Sequence, residues 1–106
     1  MGVFKTDRDL KKMITIQDLK SIVGSNVLVL DFIQDAGHGW IQIPKNLSFG
    51  LSFSRFSYQD EKNLYLEEDC DMTKYLNFLD KSGIKYNLNE IIYNGQCFIR
   101  AKNPND

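Results

Sequence analysis

Cysteine, proline and long apolar runs are all scarce in this sequence, which has two cysteines and two prolines among 106 residues. No apolar run approaches the roughly 20 residues that cross a bilayer, and the first residues lack the apolar core of a signal peptide. We therefore expect a cytoplasmic protein without a membrane association. Cys70 and Cys97 belong to no CxxC pair, so the sequence indicates no zinc or redox framework, and we expect two buried free thiols.

An excess of charge of either sign is also lacking, because 13 Lys and Arg residues oppose 14 Asp and Glu residues. Nothing in this balance favours binding to a polyanion. Arg55, which alternates with the aromatic residues of 53–58, lies in the one stretch suited to stacking on bases, and we predict no direct nucleic-acid binding. Gly37-His38-Gly39 is followed neither by a third glycine nor by a helix, so it is no dinucleotide fingerprint. We predict no cofactor.

The apolar periodicity that is present predicts one α+β domain over residues 15–101. The predicted element order is α-β-β-(α)-β-β-α-β-β, in which hairpins outnumber crossovers. This order predicts a mainly antiparallel sheet of about five to six strands, with two or three helices packed on one face. We expect residues 1–14 to form an N-terminal arm and residues 102–106 to be a frayed tail.

Two helices are predicted from their boundary signals. Thr15 and Asp18 form an approximate capping box for a helix over 15–23, which ends at Gly24. A second helix is predicted to begin at Asp71, acting as N-cap, and to end at Gly83. Residues 44–51 are consistent with either a short third helix or a loop.

Three hairpins are predicted from apolar or alternating runs and the turn residues between them. The first joins strands 27–33 and 40–43 through a glycine-bearing turn, and the second joins 53–59 and 64–67 through 60–63. The third joins the extended run 84–93 to strand 96–101 through Asn94-Gly95, the strongest short hairpin signal in the chain.

The feature with the highest density of charge is an acidic run, because six of the twelve residues from Asp60 to Asp71 are carboxylates. Some of them are suited to the partial positive charge of a helix N-terminus. A metal site is disfavoured, since neighbouring strand residues point to opposite faces and the calcium-loop pattern is absent. Clustered carboxylates also suit an interaction surface that imitates a phosphate array or docks on a basic groove. These readings are compatible with one another.

We predict that this acidic surface and its neighbouring aromatics bind a partner. The predicted partner-binding residues are Tyr58, Asp60, Glu61, Tyr65, Glu67, Glu68 and Asp69. We assign no catalytic or metal-binding residue.

His38 is the sole histidine, and it lies in a turn between two glycines beside the sole tryptophan, Trp40. Two readings are open: a structural turn residue that hydrogen-bonds to the backbone, or a general base. The alternative function is therefore a small hydrolase or metal-dependent enzyme that uses His38 with Cys70 or with the acidic run. No nucleophile elbow or oxyanion loop accompanies these residues.

Two motifs carry a resemblance to a known family, Asp-x-Gly-His-Gly-Trp at 35–40 and Tyr-Leu-Glu-Glu-Asp-Cys-Asp at 65–71. Arg55-Phe56-Ser57-Tyr58 stands between them, where a Ser-Tyr-Ser-Tyr-like strand is expected. Over residues 27–101 the chain resembles a small domain that recurs in bacteriophage, prophage and plasmid proteins. The family brings no activity with it. The resemblance implies an accessory protein of a mobile genetic element, and such proteins are often inhibitors of host defence nucleases, including anti-CRISPR and antirestriction proteins.

The sequence and this resemblance together predict a non-enzymatic protein that binds another protein. The candidate partner is a nucleic-acid-targeting defence complex of the host. We expect a monomer or a homodimer, the latter formed by pairing of an edge strand.

Overall fold

The computed structural model describes residues 13–95 and 97–105, which form one six-stranded sheet with two α-helices. The helices are α1 (Ile16–Val23) and α2 (Thr73–Lys81). The strands are β1 (Leu28–Gln34), β2 (Gly39–Pro44), β3 (Tyr58–Gln59), β4 (Asn63–Glu67), β5 (Tyr86–Ile92) and β6 (Asn103–Pro104). Short 3-10 helices span Lys45–Leu47 and Phe98–Ala101, and a π-helical turn spans Glu68–Met72.

The strands lie in the order β5-β1-β2-β4-β3-β6. Among the described residues, four of the five strand pairs are antiparallel, and only β1 and β5 pair in parallel. The parallel pair arises because β4 and β5 run in the same direction, so the chain between them must cross a face of the sheet, and α2 makes that crossing. The predicted α+β class with a mainly antiparallel sheet is therefore confirmed.

Both helices pack on one face of the sheet, where alternate strand residues form the larger core. Leu19 of α1 and both Tyr75 and Leu79 of α2 belong to this core. The strands contribute Leu30, Phe32, Ile41, Ile43, Leu64 and Leu66. Burying one large apolar side chain contributes roughly 1.5–3 kcal/mol, so this face supplies most of the apolar stabilisation of the fold.

The opposite face of the sheet carries a second, smaller core. It consists of Ile33, Trp40 and Tyr65 from the strands, with Cys97 and Ile99 from the C-terminal segment. The sheet thus lies between the two helices and the 3-10 helix Phe98–Ala101. We call this second side of the sheet the C-terminal face.

Helix α1 follows its sequence signals closely. The Thr15 side chain accepts a hydrogen bond from the Asp18 N–H, and the Asp18 carboxylate accepts one from the Thr15 N–H, which completes the predicted capping box. Gly24 ends the helix with a φ of 62°, a conformation that favours glycine.

The hairpin predicted at Asn94-Gly95 is wrong. Residues 98–101 form a 3-10 helix instead of a returning strand, while Gln96 lies outside the described residues. The physical reason is tertiary, because Cys97 and Ile99 are buried against the C-terminal face and Arg100 pairs with Asp35. These contacts outweigh the local turn preference.

Backbone contacts are present at both ends of the described chain. Of the predicted arm over residues 1–14, residues 1–12 lie outside the described part, and the Ile14 N–H donates to the Asn46 carbonyl. The tail over 102–106 was expected to be frayed, yet Asn103–Pro104 pairs with β3. The Asn105 N–H also donates to the Ser57 carbonyl. Within residues 13–95 and 97–105, no helix has the length and apolar content needed to cross a membrane.

Gly39 is a position where the core leaves no room for a side chain. A Cβ atom there would lie 2.8 and 2.9 Å from two ring atoms of the buried Phe32. We expect Gly39→Ala to lower the free energy of unfolding by about 1–3 kcal/mol through overpacking, measured by urea denaturation. Gly95→Ala is the matched control, because a Cβ at Gly95 would meet no heavy atom within 4 Å. Equal unfolding midpoints for the two variants would contradict this account.

Candidate functional site

A cleft of about 370 Å³ opens on the C-terminal face, where the start of β2 lies beside the end of β4. Its size is at the lower end of the range for small-ligand sites, roughly 300–1,000 Å³. Residues from four separate parts of the chain line it: His38, Trp40, Arg55, Phe56, Tyr58, Glu67, Asp69, Cys70 and Arg100.

The Asp35 carboxylate joins the turn before β2 to the C-terminal segment. It accepts hydrogen bonds from the N–H groups of Gly37 and His38, each at 3.0 Å, and from the Cys97 N–H at 3.3 Å. The Arg100 guanidinium binds it in a bidentate manner, through Nε at 2.6 Å and Nη2 at 2.9 Å. The Arg100 guanidinium and these N–H groups hold the pKa of Asp35 well below its usual range.

Arg100 also determines which nitrogen of His38 carries the proton. Arg100 Nη2 lies 2.9 Å from His38 Nδ1. Because a guanidinium can only donate, Nδ1 must accept, and the imidazole in this arrangement carries its proton on Nε2. The His38 ring stacks on Trp40 with centroids 5.9 Å apart, and the Arg100 guanidinium lies 5.5 Å from the Trp40 ring. His38 is therefore held as part of one wall of the cleft.

Trp40 lies on the inner wall of the cleft and is only 1% exposed. Its indole N–H is buried and has no acceptor among residues 13–95 and 97–105. An unsatisfied buried donor costs roughly 1–3 kcal/mol.

The loop that carries Arg55 and Phe56 is held in place from beneath by Asp71. The Asp71 carboxylate accepts hydrogen bonds from the N–H and hydroxyl of Ser54, each at 2.8 Å, and from the hydroxyl of Ser57. Ser57 Oγ in turn accepts from the Glu67 N–H at 3.0 Å. The predicted role of Asp71 as the N-cap of the second helix is wrong, because its side chain is used inside this network. Helix α2 begins at Thr73 instead.

This network also shortens a predicted strand. Only Tyr58–Gln59 of the predicted strand 53–59 pairs with β4. The preceding residues turn outward because both Ser54 and Ser57 bind Asp71. As a result Phe56 is displayed at the rim of the cleft, 62% exposed, next to the exposed Arg55.

Three of the seven predicted partner-binding residues have internal contacts. The Asp60 carboxylate accepts from the Asn63 N–H at 2.8 Å and from the Tyr65 hydroxyl at 2.7 Å, and it forms an ion pair with Lys102. Glu67 is buried and accepts from the Asp69 N–H at 2.9 Å, which caps the π-helical turn.

The pKa values of the Asp60 and Tyr65 pair reflect these contacts. Burial alone would raise the pKa of Asp60, but hydrogen bonds from Tyr65, Asn63, Lys62 and Lys102 lower it overall. Burial and the neighbouring Asp60 raise the pKa of Tyr65 to about 12. Both groups therefore keep their neutral-pH charge states, and the pair closes the turn between β3 and β4.

The other four predicted partner-binding residues are at least partly accessible. Glu61, Glu68 and Asp69 are exposed, and the half-buried Tyr58 packs edge-on against Trp40. Glu61 precedes β4 while Glu68 and Asp69 follow it, and a five-residue strand separates its ends by roughly 13 Å. The exposed carboxylates thus form two separate groups, and of these three residues only Asp69 lines the cleft.

Cys70, expected to be buried, is exposed and lines the cleft together with His38, whereas Cys97 is buried as expected. The two residues that the enzymatic alternative requires, His38 and Cys70, thus line the same cleft. Desolvation and the neighbouring carboxylates Glu67, Asp71 and Asp69 raise the pKa of the Cys70 thiol. A raised pKa disfavours the thiolate, so Cys70 is poorly suited to act as a nucleophile at neutral pH.

No group of three or more potential metal ligands occurs among the described residues. Arg55, Phe56 and Arg100 are not among the site residues predicted from the sequence. The alternation of Arg55 with aromatics was a usable signal for the rim. Nothing local to Arg100 indicated its partner, because 65 positions separate it from Asp35.

Comparison of the chain with protein-family models found no match. Comparison with curated proteins also found no match. Comparison with solved structures found none either. The case for function therefore depends on the cleft itself.

The role of Asp71 can be separated from that of its exposed neighbour Asp69. Asp71→Ala leaves one N–H and two hydroxyls of a buried network without their acceptor, so we expect the free energy of unfolding to fall by about 2–3 kcal/mol. Asp69→Ala should change it by less than about 1 kcal/mol, the usual effect of one exposed carboxylate in a helical first turn. Urea denaturation measures both. Similar losses in the two variants would show that Asp71 has no special structural role.

The depressed pKa of Asp35 predicts a pH-dependent contribution to stability. Its charged form stabilises the fold above the unfolded-state pKa, about 3.9, and this contribution is lost as the pH falls towards the folded-state value. We expect Asp35→Asn to lower the melting temperature at pH 7, with a gap from wild type that narrows below about pH 4. Asp80→Asn, at an exposed position of α2, is the control and should leave the melting temperature unchanged. A gap that is constant from pH 7 to pH 2 would contradict this assignment.

Proposed function

We propose that this chain is a non-enzymatic binding domain that captures another protein through the cleft and its rim. The observation that carries the proposal is Phe56, a large apolar side chain left 62% exposed on a loop that Asp71 holds in place. Exposed aromatic and arginine side chains around a recess are the residues that most often dominate the energy of protein interfaces. Here Phe56 and Arg55 stand at the rim, with Trp40 and Tyr58 inside the cleft.

The fixed position of this loop supports binding energetically. Ordering a mobile loop on association costs free energy, and a loop already held by hydrogen bonds avoids most of that cost. The Asp71 network supplies three such bonds directly beneath Arg55 and Phe56.

The carboxylate of Asp69 favours a basic group on the partner at that point of the cleft. Asp69 is exposed in the lining of the cleft, where the other exposed charge, Arg55, has the opposite sign. Complementary charge accelerates association and selects partners, with an effect that weakens as the salt concentration rises.

The resemblance of the two motifs to a phage and plasmid domain extends this proposal to a biological context. We propose an accessory protein of a mobile genetic element that blocks a nucleic-acid-targeting defence complex of the host. The exposed carboxylates at the two ends of β4 would each occupy a position that otherwise holds a phosphate, because both groups carry negative charge.

The second candidate function is hydrolysis that uses His38 and Cys70, and their common cleft is the observation in its favour. The raised pKa of Cys70 opposes it. The variant Cys70→Ser discriminates between the two functions. If the chain is a binding domain, this variant still binds its protein partner; if it is a cysteine hydrolase, the variant still binds its substrate but no longer hydrolyses it.

The binding proposal is tested by capture of proteins on the immobilised full chain, from a lysate of a bacterial host that carries nucleic-acid defence systems. We expect Phe56→Ala to reduce capture of the specific partner by roughly 30-fold, the loss typical of an interface hot spot. Ile22→Ala is the matched control, because Ile22 is an apolar residue on α1 with a similar exposure of 70%. Capture should also weaken at high salt.

Two outcomes would overturn the proposal. In the first, the Phe56→Ala variant captures every protein that the wild-type chain captures. In the second, the Ile22→Ala control loses as much capture as the Phe56→Ala variant.

A further inference from the structure

Strand β5 (Tyr86–Ile92) lies at one end of the sheet order, so one of its edges is free among the described residues. Its only neighbour there is β1, with which it pairs in parallel over seven residues. The strand contains no proline and a single charged residue, Glu90. Long free edges of this kind are ready templates for a further strand, and proteins normally protect them with charges, prolines or bulges.

The hydrogen bonds to β1 show which backbone groups of β5 point outward. The Tyr93 N–H donates to the Gln34 carbonyl at 2.8 Å, and the Lys85 carbonyl accepts from the Leu28 N–H at 2.9 Å. Residues 85 and 93 therefore face β1. In a strand, successive residues direct their backbone groups to alternate sides, so the odd-numbered residues of β5 face inward. The outward-facing residues are Tyr86, Leu88, Glu90 and Ile92.

We propose that a second copy of this chain pairs with the free edge, with the two β5 strands antiparallel and centred on Asn89. In this register each outward-facing residue meets an outward-facing residue of the other copy. Tyr86 lies opposite Ile92, and Leu88 lies opposite Glu90. The pairing is related by a twofold axis, as isologous dimers require, and forms about eight interstrand hydrogen bonds, two per pair.

Charge and apolar contacts select this register over its neighbours. A shift by two residues in one direction places Glu90 opposite Glu90 of the second copy, and like charges directly opposite are destabilising. A shift in the other direction moves Ile92 beyond the end of the opposing strand. In the centred register Ile92, which is 70% exposed in one copy, lies opposite Tyr86 of the other, whose side chain packs against the larger core. One self-complementary register favours a second copy over an unrelated strand as the occupant.

The inference is tested by disulfide cross-linking at the symmetry axis. Asn89 lies opposite itself in the proposed dimer, as a non-hydrogen-bonded pair with Cα atoms roughly 4.5 Å apart, within the range that a disulfide spans. We expect Asn89→Cys to form a covalent dimer under mild oxidation. Asn87→Cys is the control, because Asn87 is exposed on the same face of β5 but lies opposite Ile91. Both variants carry Cys70→Ser, which removes the exposed native thiol.

Non-reducing electrophoresis measures the result, and at least ten times more cross-linked dimer is expected for Asn89→Cys than for Asn87→Cys. Equal cross-linking of the two, or none for either, would overturn the proposed pairing.

Sedimentation analysis of the full chain over a range of concentrations provides a second test. Glu90→Pro removes an outward N–H without touching the inward ladder to β1, whereas Glu90→Ala keeps that N–H. We expect wild type and Glu90→Ala to dimerise as concentration rises, and Glu90→Pro to remain monomeric with a retained thermal unfolding transition. The dimer would be refuted if the wild-type protein stays monomeric at its highest soluble concentration. That result is also expected if another segment of the chain covers the edge of β5. If Glu90→Pro does not fold, the cross-linking result alone decides.

Discussion

The C-terminal face depends on the ion pair between the Asp35 carboxylate and the Arg100 guanidinium. The carboxylate orders the turn before β2 through two backbone N–H groups and binds the Arg100 guanidinium in a bidentate manner. Charge-assisted pairs of this geometry are among the strongest hydrogen bonds in proteins. The pair holds the C-terminal segment against the sheet, so Cys97 and Ile99 can complete the second core. It also positions Arg100 against His38 and Trp40, which forms one wall of the cleft.

Some carboxylates of the acidic run are hydrogen-bonded within the chain, and others are exposed. Asp60, Glu67 and Asp71 each accept hydrogen bonds from neighbouring parts of the chain, and together they hold the loops around β3 and β4. Glu68 and Asp69 remain exposed, and Asp69 lines the cleft. The cleft lies over β2, β3 and β4, and β1 separates these strands from β5 at the edge. A dimer formed through β5 therefore leaves both clefts open and presents them as a bivalent surface, which raises apparent affinity for a partner with repeated sites.

The elements that sequence patterns predicted well are those stabilised by neighbours in the chain. Helix α1 has its capping box and its terminal glycine, and the β1–β2 hairpin has its alternation and turn.

The predictions that were wrong involve competition between a local preference and a distant partner. Asn94-Gly95 is a strong turn signal, yet burial of Cys97 and Ile99 and the ion pair of Arg100 produce a 3-10 helix. Asp71 is a suitable N-cap by its position, yet two serines in a preceding loop bind its carboxylate. For the candidate site, the sequence indicated the acidic run and His38 but not Arg100 or the outward turn of Phe56.

By itself the sequence determined the α+β class, the α1 helix and the alternation that assigns strand residues to the two faces, because these depend on periodicity and on contacts three or four residues apart. Only the tertiary structure decided which carboxylates are internal, where β5 lies in the sheet and which residues meet at the cleft. The physical reason is that these features arise from pairs such as Asp35 with Arg100, separated by 65 positions, whose free energy appears only after the chain between them has folded.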